Sequence, residues 1–104
     1  MEKVLLAYEP AWAIGTGSKA ADPLYASWIH GIIRKAVTDQ FGSAGADGVA
    51  IIYGGSVDQE NALGFLMQPE VDGLFIGRAA YEVERFVEIL NSLILYMDGK
   101  SLNF

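Results

Sequence analysis

Three short, unbroken apolar runs, each followed by a helix-forming stretch, constrain this chain more than any other feature. They lie at Lys3 to Tyr8, Val49 to Tyr53 and Gly73 to Ile76. Runs that are apolar at nearly every position, and not at alternate ones, suit parallel strands covered on both faces. Strands alternating with helices imply right-handed crossovers within one parallel sheet. The expected class is therefore α/β, built from three βα units.

The helices carry their own start and stop signals. Asp22-Pro23 places a capping carboxylate before a proline at the first helical position. Apolar residues then recur at Tyr25, Trp28, Ile29, Ile32, Ile33, Ala36 and Val37, and Gly42 is the expected stop. A shorter helix is expected over roughly Gln59 to Met67, with Asp58 as its cap and Pro69 beyond it. The third places Phe86, Ile89, Leu90, Leu93 and Ile94 on one stripe and ends near Gly99, leaving Asp98 to Phe104 irregular. No linker, repeat or low-complexity segment divides the chain, so residues 1–104 form one unit.

Composition narrows the class of function. Hydrophobic residues make up 52% and charged ones 19%, a globular balance. A net charge of -6 argues against a nucleic-acid surface, because phosphate backbones attract Lys and Arg. No apolar run approaches the ~20 residues that cross a bilayer, and no basic region precedes an apolar one at the start. A soluble, cytoplasmic chain with no membrane partner is expected. With no cysteine there is neither a disulfide nor a thiolate metal site. No side-chain cluster has metal-ligand spacing, and Gly15-Thr16-Gly17 does not continue into a dinucleotide fingerprint, so no metal and no cofactor are expected.

Chemistry-bearing residues gather just after each strand: Glu9-Pro10, then Gly54-Gly55-Ser56, then Gly77-Arg78. Parallel α/β folds place their sites there, where loops converge at the carboxyl ends of the strands. His30, the only histidine, lies inside the first helix, and a packing or surface role is expected for it. Trp28 is expected to pack in the core or between helix and sheet.

Ala7 to Gly17 resembles the catalytic-glutamate and lid segment of the triosephosphate isomerase family. Tyr53-Gly54-Gly55-Ser56-Val57, followed by Asn61-Ala62, resembles that family's seventh-strand loop, and Asp72 to Gly77 resembles its eighth strand. The three segments stand in the family's order and spacing, up to about Tyr96. The resemblance implies a partial TIM (β/α)8 barrel, the sixth to eighth units of a fold that needs roughly 250 residues. It implies that Glu9 moves a proton between neighbouring carbons of a sugar phosphate through an enediolate. Pro10, Ala11, Trp12, Ala13, Ile14, Gly15, Thr16 and Gly17 would form a lid, with the Gly15 N–H on the substrate phosphate. Ser56, Gly77 and Arg78 would share that phosphate, and the Tyr53 hydroxyl would help hold the closed lid.

Two departures accompany the resemblance. The family usually carries two adjacent glycines where Gly77-Arg78 stand. Arginine there resembles relatives acting on four-carbon ketose phosphates. Its electrophilic lysine and histidine belong to the first five units, which this chain lacks. The implied partners are a small phosphorylated sugar and either a complementary N-terminal barrel half or further copies of the chain. Alone, the chain is expected to be inactive, or a non-catalytic self-assembling half-barrel.

Overall fold

A computed structural model describes residues 4–10, 12 and 22–100, and the side chains of these except 78, 79 and 97–100. Its elements run β1 (Leu5–Tyr8), α1 (Pro23–Asp47), β2 (Ala50–Gly55), α2 (Ala62–Leu66), β3 (Gly73–Ile76), a 3-10 turn (Arg78–Tyr81) and α3 (Val83–Lys100). The strands form one parallel sheet in the order β1-β2-β3, so neighbours in sequence are neighbours in space. This is the expected partial TIM barrel, three βα units in an open sheet.

Strand geometry divides the side chains between two faces, because successive residues point opposite ways. Tyr8, Tyr53 and Leu74 share one rung of the sheet, and Ala7, Ile52 and Gly73 share the rung before it. The helices cover the face that holds Leu6, Tyr8, Ile51, Tyr53, Leu74 and Ile76. One buried cluster joins Ala26, Tyr53, Val57, Ala62, Phe65, Val71 and Ile89, and a second joins Val37, Ala46, Val49 and Ile51. The opposite face is bare: Leu5 is 60% exposed and Phe75 52%. The apolar runs that suggested covering on both faces are thus covered on one.

The helix starts as its sequence requires. The Asp22 carboxylate accepts the Leu24 N–H at 2.8 Å, and Pro23 occupies the first turn, where no N–H is needed. Gly42 does not end the helical region but breaks it. At φ 80° it adopts a backbone that a side chain would oppose, and a short helix resumes beyond it to Asp47. Trp28 corrects the expected packing: it is 62% exposed. The inward line on α1 is Ala26, His30, Ile33 and Val37, and a residue two positions after Ala26 sits about 200° around the helix.

Two further boundaries differ from expectation. Gly54 and Gly55 belong to β2, paired with Phe75 and Ile76, and not to the loop after it. The chain from Asp98 to Lys100 is helical, a correction to the irregular tail, because one glycine near a helix end weakens the helix without stopping it. Residues 101–104 lie outside the described part.

Below the sheet, Arg34 and Asp72 lock the layers. The Asp72 carboxylate accepts the Ile51 N–H and Arg34 Nη2, each at 2.8 Å, while Asp72 N–H donates to Ile51 O at 2.9 Å. Arg34 Nη1 also donates to Val49 O at 3.2 Å and Nε to Glu70 at 3.3 Å. Replacing Asp72 by Ala leaves the amide of fully buried Ile51 without its acceptor. We expect a loss of about 1–3 kcal/mol in urea unfolding, and a smaller loss for Asp72→Asn, which keeps an acceptor oxygen.

Candidate active site

Glu9 follows the last residue of β1, at the carboxyl end of the sheet. Tyr8 faces the helices, so Glu9 faces the bare side. Its side chain lies across Gly54 of β2: a Cβ on Gly54 would stand 3.0 Å from Glu9 Cγ, 3.3 Å from Oε1 and 3.4 Å from Phe75 Cβ. Glycine at 54 is therefore a close-approach position, and it lets the carboxylate lie flat over the neighbouring strand. Glu9 is exposed, whereas Pro10 directly after it is buried and pins the chain where it leaves the sheet.

Tyr53 is fully buried and stacks on Phe65 with ring centroids 4.1 Å apart and planes 10° apart. Its ring leans along the strand toward the carboxyl end. A Cβ on Gly55 would stand 2.6 Å from Tyr53 Cζ and overlap the hydroxyl, so this second glycine makes room for the ring. The Tyr53 hydroxyl thus lies at the same end of the sheet as Glu9, on the helix side.

The loop after β2 is fixed by two side chains. Asn61 Nδ2 donates to Ser56 O at 2.8 Å, and Asn61 Oδ1 accepts the Asp58 N–H at 2.8 Å. Asp58 Oδ1 accepts the N–H groups of Glu60 at 2.8 Å and Asn61 at 2.9 Å. Asp58 thereby fixes the turn leading into α2 and is not its N-cap: the helix expected from Gln59 begins at Ala62, with Asn61 at the cap position. Asn61 was legible only as part of a resembling segment; its holding of Ser56 needed the structure. The signal that reveals it is the Asp-x-x-Asn spacing, two short polar side chains able to bond nearby backbone.

Gly77 immediately precedes the 3-10 turn, with Ala80 N–H donating to Gly77 O at 3.0 Å, and a Cβ there would meet open space. Arg78 opens the same turn; its side chain, like Ala11, Ala13, Ile14, Gly15, Thr16 and Gly17, lies outside the described residues. Trp12 is described and half exposed. The structure thus brings Glu9, Gly54, Ser56 and Gly77 to one end of one sheet. Among the described residues no group of His, Asp and Glu side chains is arranged to hold a metal ion, and no helix is long and apolar enough to cross a membrane.

His30 stands behind the sheet, between its two ends, fully buried. Its Nδ1 donates to Glu70 O at 3.1 Å and its ring meets Tyr8 edge-on, centroids 5.7 Å apart at 82°. Its Nε2 is buried without a hydrogen-bond partner. Burial, the largest cause, lowers the His30 pKa below its ordinary value, against the opposing pull of Glu70 and Asp72. Burial and the neighbouring Tyr25 and Tyr53 raise the Tyr8 phenol.

Three parallel strands alternating with helices in one open sheet are the architecture of a segment of a (β/α)8 barrel. The sequence matches the triosephosphate isomerase family over residues 1–93, and the chain belongs to that family. It is 48% identical over 90 residues to a triosephosphate isomerase of Syntrophotalea carbinolica, covering 86% of this chain and 35% of that protein. It is likewise 48% identical over 89 residues to one from Solibacter usitatus, covering 86% and 35%. One from Bacteroides fragilis is 48% identical over 90 residues, covering 86% and 36%. The chain spans about a third of the length of the relatives it matches.

The lowered His30 pKa has a consequence with a definite sign. The unfolded chain binds a proton at the ordinary histidine value while the folded chain resists it, so stability is fully present above pH ~6.5 and falls as pH drops below it. We expect the urea midpoint to fall between pH about 7.5 and about 5.5, and His30→Phe to flatten that part of the profile.

Proposed function

We propose that this chain supplies the base and part of the phosphate site of an enzyme that interconverts glyceraldehyde 3-phosphate and dihydroxyacetone phosphate. The observation that carries the reading is the Glu9 carboxylate lying over Gly54 on the bare face of the sheet, at the end where Ser56 and Gly77 also stand. The names of the matched relatives support the same reaction.

In this reading Glu9 takes the proton from the carbon beside the carbonyl. The electrons of the broken C–H bond pass into an enediolate, and the carboxylate returns the proton to the neighbouring carbon. A carboxylate suits both halves of that transfer near neutral pH once water is excluded. The backbone amides around Gly15, Ser56, Gly77 and Arg78 hold the substrate phosphate, with Pro10 to Gly17 as lid and Tyr53 behind it. Polarisation of the carbonyl comes from residues outside this chain. The bare sheet face, with Leu5, Ile52 and Phe75, packs against a companion barrel segment that completes the site.

The test is to combine the chain with a polypeptide carrying the five preceding βα units and assay isomerisation. The combination turns over triose phosphate and the chain alone does not; turnover by the chain alone would overturn the proposed division of the site. Glu9→Gln abolishes turnover. Glu9→Asp withdraws the carboxylate by about 1 Å and lowers kcat by ~10²-fold. Gly54→Ala pushes the Glu9 side chain off its seat and lowers kcat by roughly tenfold or more with KM little changed.

A further inference from the structure

One side chain of α1 touches both flanks of Glu9. The Tyr25 ring packs against Trp12, centroids 5.8 Å apart at 57°, and against Trp28 on its other side, 5.8 Å apart at 54°. Tyr25 also lies beside Tyr8, near enough to help raise its phenol. Tyr8 immediately precedes Glu9 and Trp12 follows it by three residues. Tyr8 itself is wedged between His30 and Tyr53, whose ring centroid lies 6.3 Å away.

This placement is not explained by core formation. Tyr25 is 38% exposed, Trp12 54% and Trp28 62%, so the three rings form a ladder along the surface and do not fill the interior. What the ladder does is connect. The segment that carries Glu9 leaves the sheet at Tyr8 and crosses to Trp12, and a short segment held at both ends has little freedom to swing its middle. Small displacements of a reacting group are costly in rate, so a clamp on the flanks acts directly on the aim of the carboxylate.

We propose that Tyr25 is a positioning residue for Glu9, lying beside Tyr8 and holding Trp12 through its ring. This rests on the reading of Glu9 as the base. Tyr25 touches no substrate; it acts through the backbone on either side of the carboxylate. Its hydroxyl and its ring are separable by substitution, because Tyr25→Phe loses the hydroxyl and keeps the ring, whereas Tyr25→Ala loses both.

Two measurements test it. Trp12 and Trp28 are the only tryptophans, so in a Trp28→Phe background the emission reports Trp12 alone. There Tyr25→Ala shifts the Trp12 emission to the red and raises its quenching by acrylamide, and Tyr25→Phe does neither. An unshifted Trp12 in Tyr25→Ala overturns the proposal, whether or not the barrel is active. In the chain combined with its five-unit companion, Tyr25→Ala lowers kcat about tenfold with KM changed less than about twofold, and Tyr25→Phe gives a smaller fall. With substrate deuterated at the carbon that loses its proton, the isotope effect on kcat rises in Tyr25→Ala, because proton transfer becomes the slower step.

A fall in kcat that only matches a reduced count of competent sites, with an unchanged isotope effect, overturns the positioning role in favour of a folding one. Unchanged kinetics in Tyr25→Ala, beside a Glu9→Gln variant that is inactive, also overturns it. If Glu9→Gln retains full activity, the reading of Glu9 falls, and the positioning role falls with it.

Discussion

The Asp72 carboxylate is the tie on which the layering depends. One of its oxygens accepts both the Ile51 amide of the central strand and the Arg34 guanidinium of the first helix. Its own backbone amide returns a bond to Ile51. Three elements that the chain visits far apart in sequence are thereby set in register at the amino-terminal end of the strands. Glu70 extends the tie, since its carbonyl accepts from both Arg34 and His30. The candidate site residues stand at the other end of the same strands, so this tie and the proposed chemistry are separated by the length of the sheet.

That separation also decides what could be read without coordinates. Local rules reached far: the order of strands and helices, the Asp22-Pro23 start and the placement of Glu9 after a strand all follow from neighbours along the chain, whereas Gly42, expected as a stop, only breaks a helical region that resumes to Asp47. The candidate residues Glu9, Ser56 and Gly77 stand out in the sequence because each directly follows a strand in a short motif. Long-range polar pairing was not. Arg34 and Asp72 lie 38 residues apart and carry no pattern that announces their bond. Trp28 failed for a related reason, since an apolar stripe wide enough to wrap a helix does not say which edge of it turns toward the sheet.

Asn61 and the paired glycines show the same limit on a smaller scale. Gly54 and Gly55 look alike in sequence, yet they make room on opposite faces of the sheet, one for Glu9 and the other for the Tyr53 ring. Nothing local distinguishes them. Their different duties come from the alternation of a strand, and that alternation gains meaning only when the neighbours are known. Asn61 likewise acts by reaching back five residues to the Ser56 carbonyl, and so holds a loop whose own residues are unremarkable.

The alternation along the strands has a consequence for how such a chain can change over generations. Odd and even positions answer to different demands: the helix-facing set must fit a packed interior, while the other set meets whatever lies across the barrel axis. A substitution in Ala7, Ile52 or Phe75 alters the uncovered face with little effect on the layer beneath. One in Leu6 or Ile51 alters how well the helices hold the sheet with little effect on that face. One register of the strands can therefore vary while the other keeps the scaffold intact.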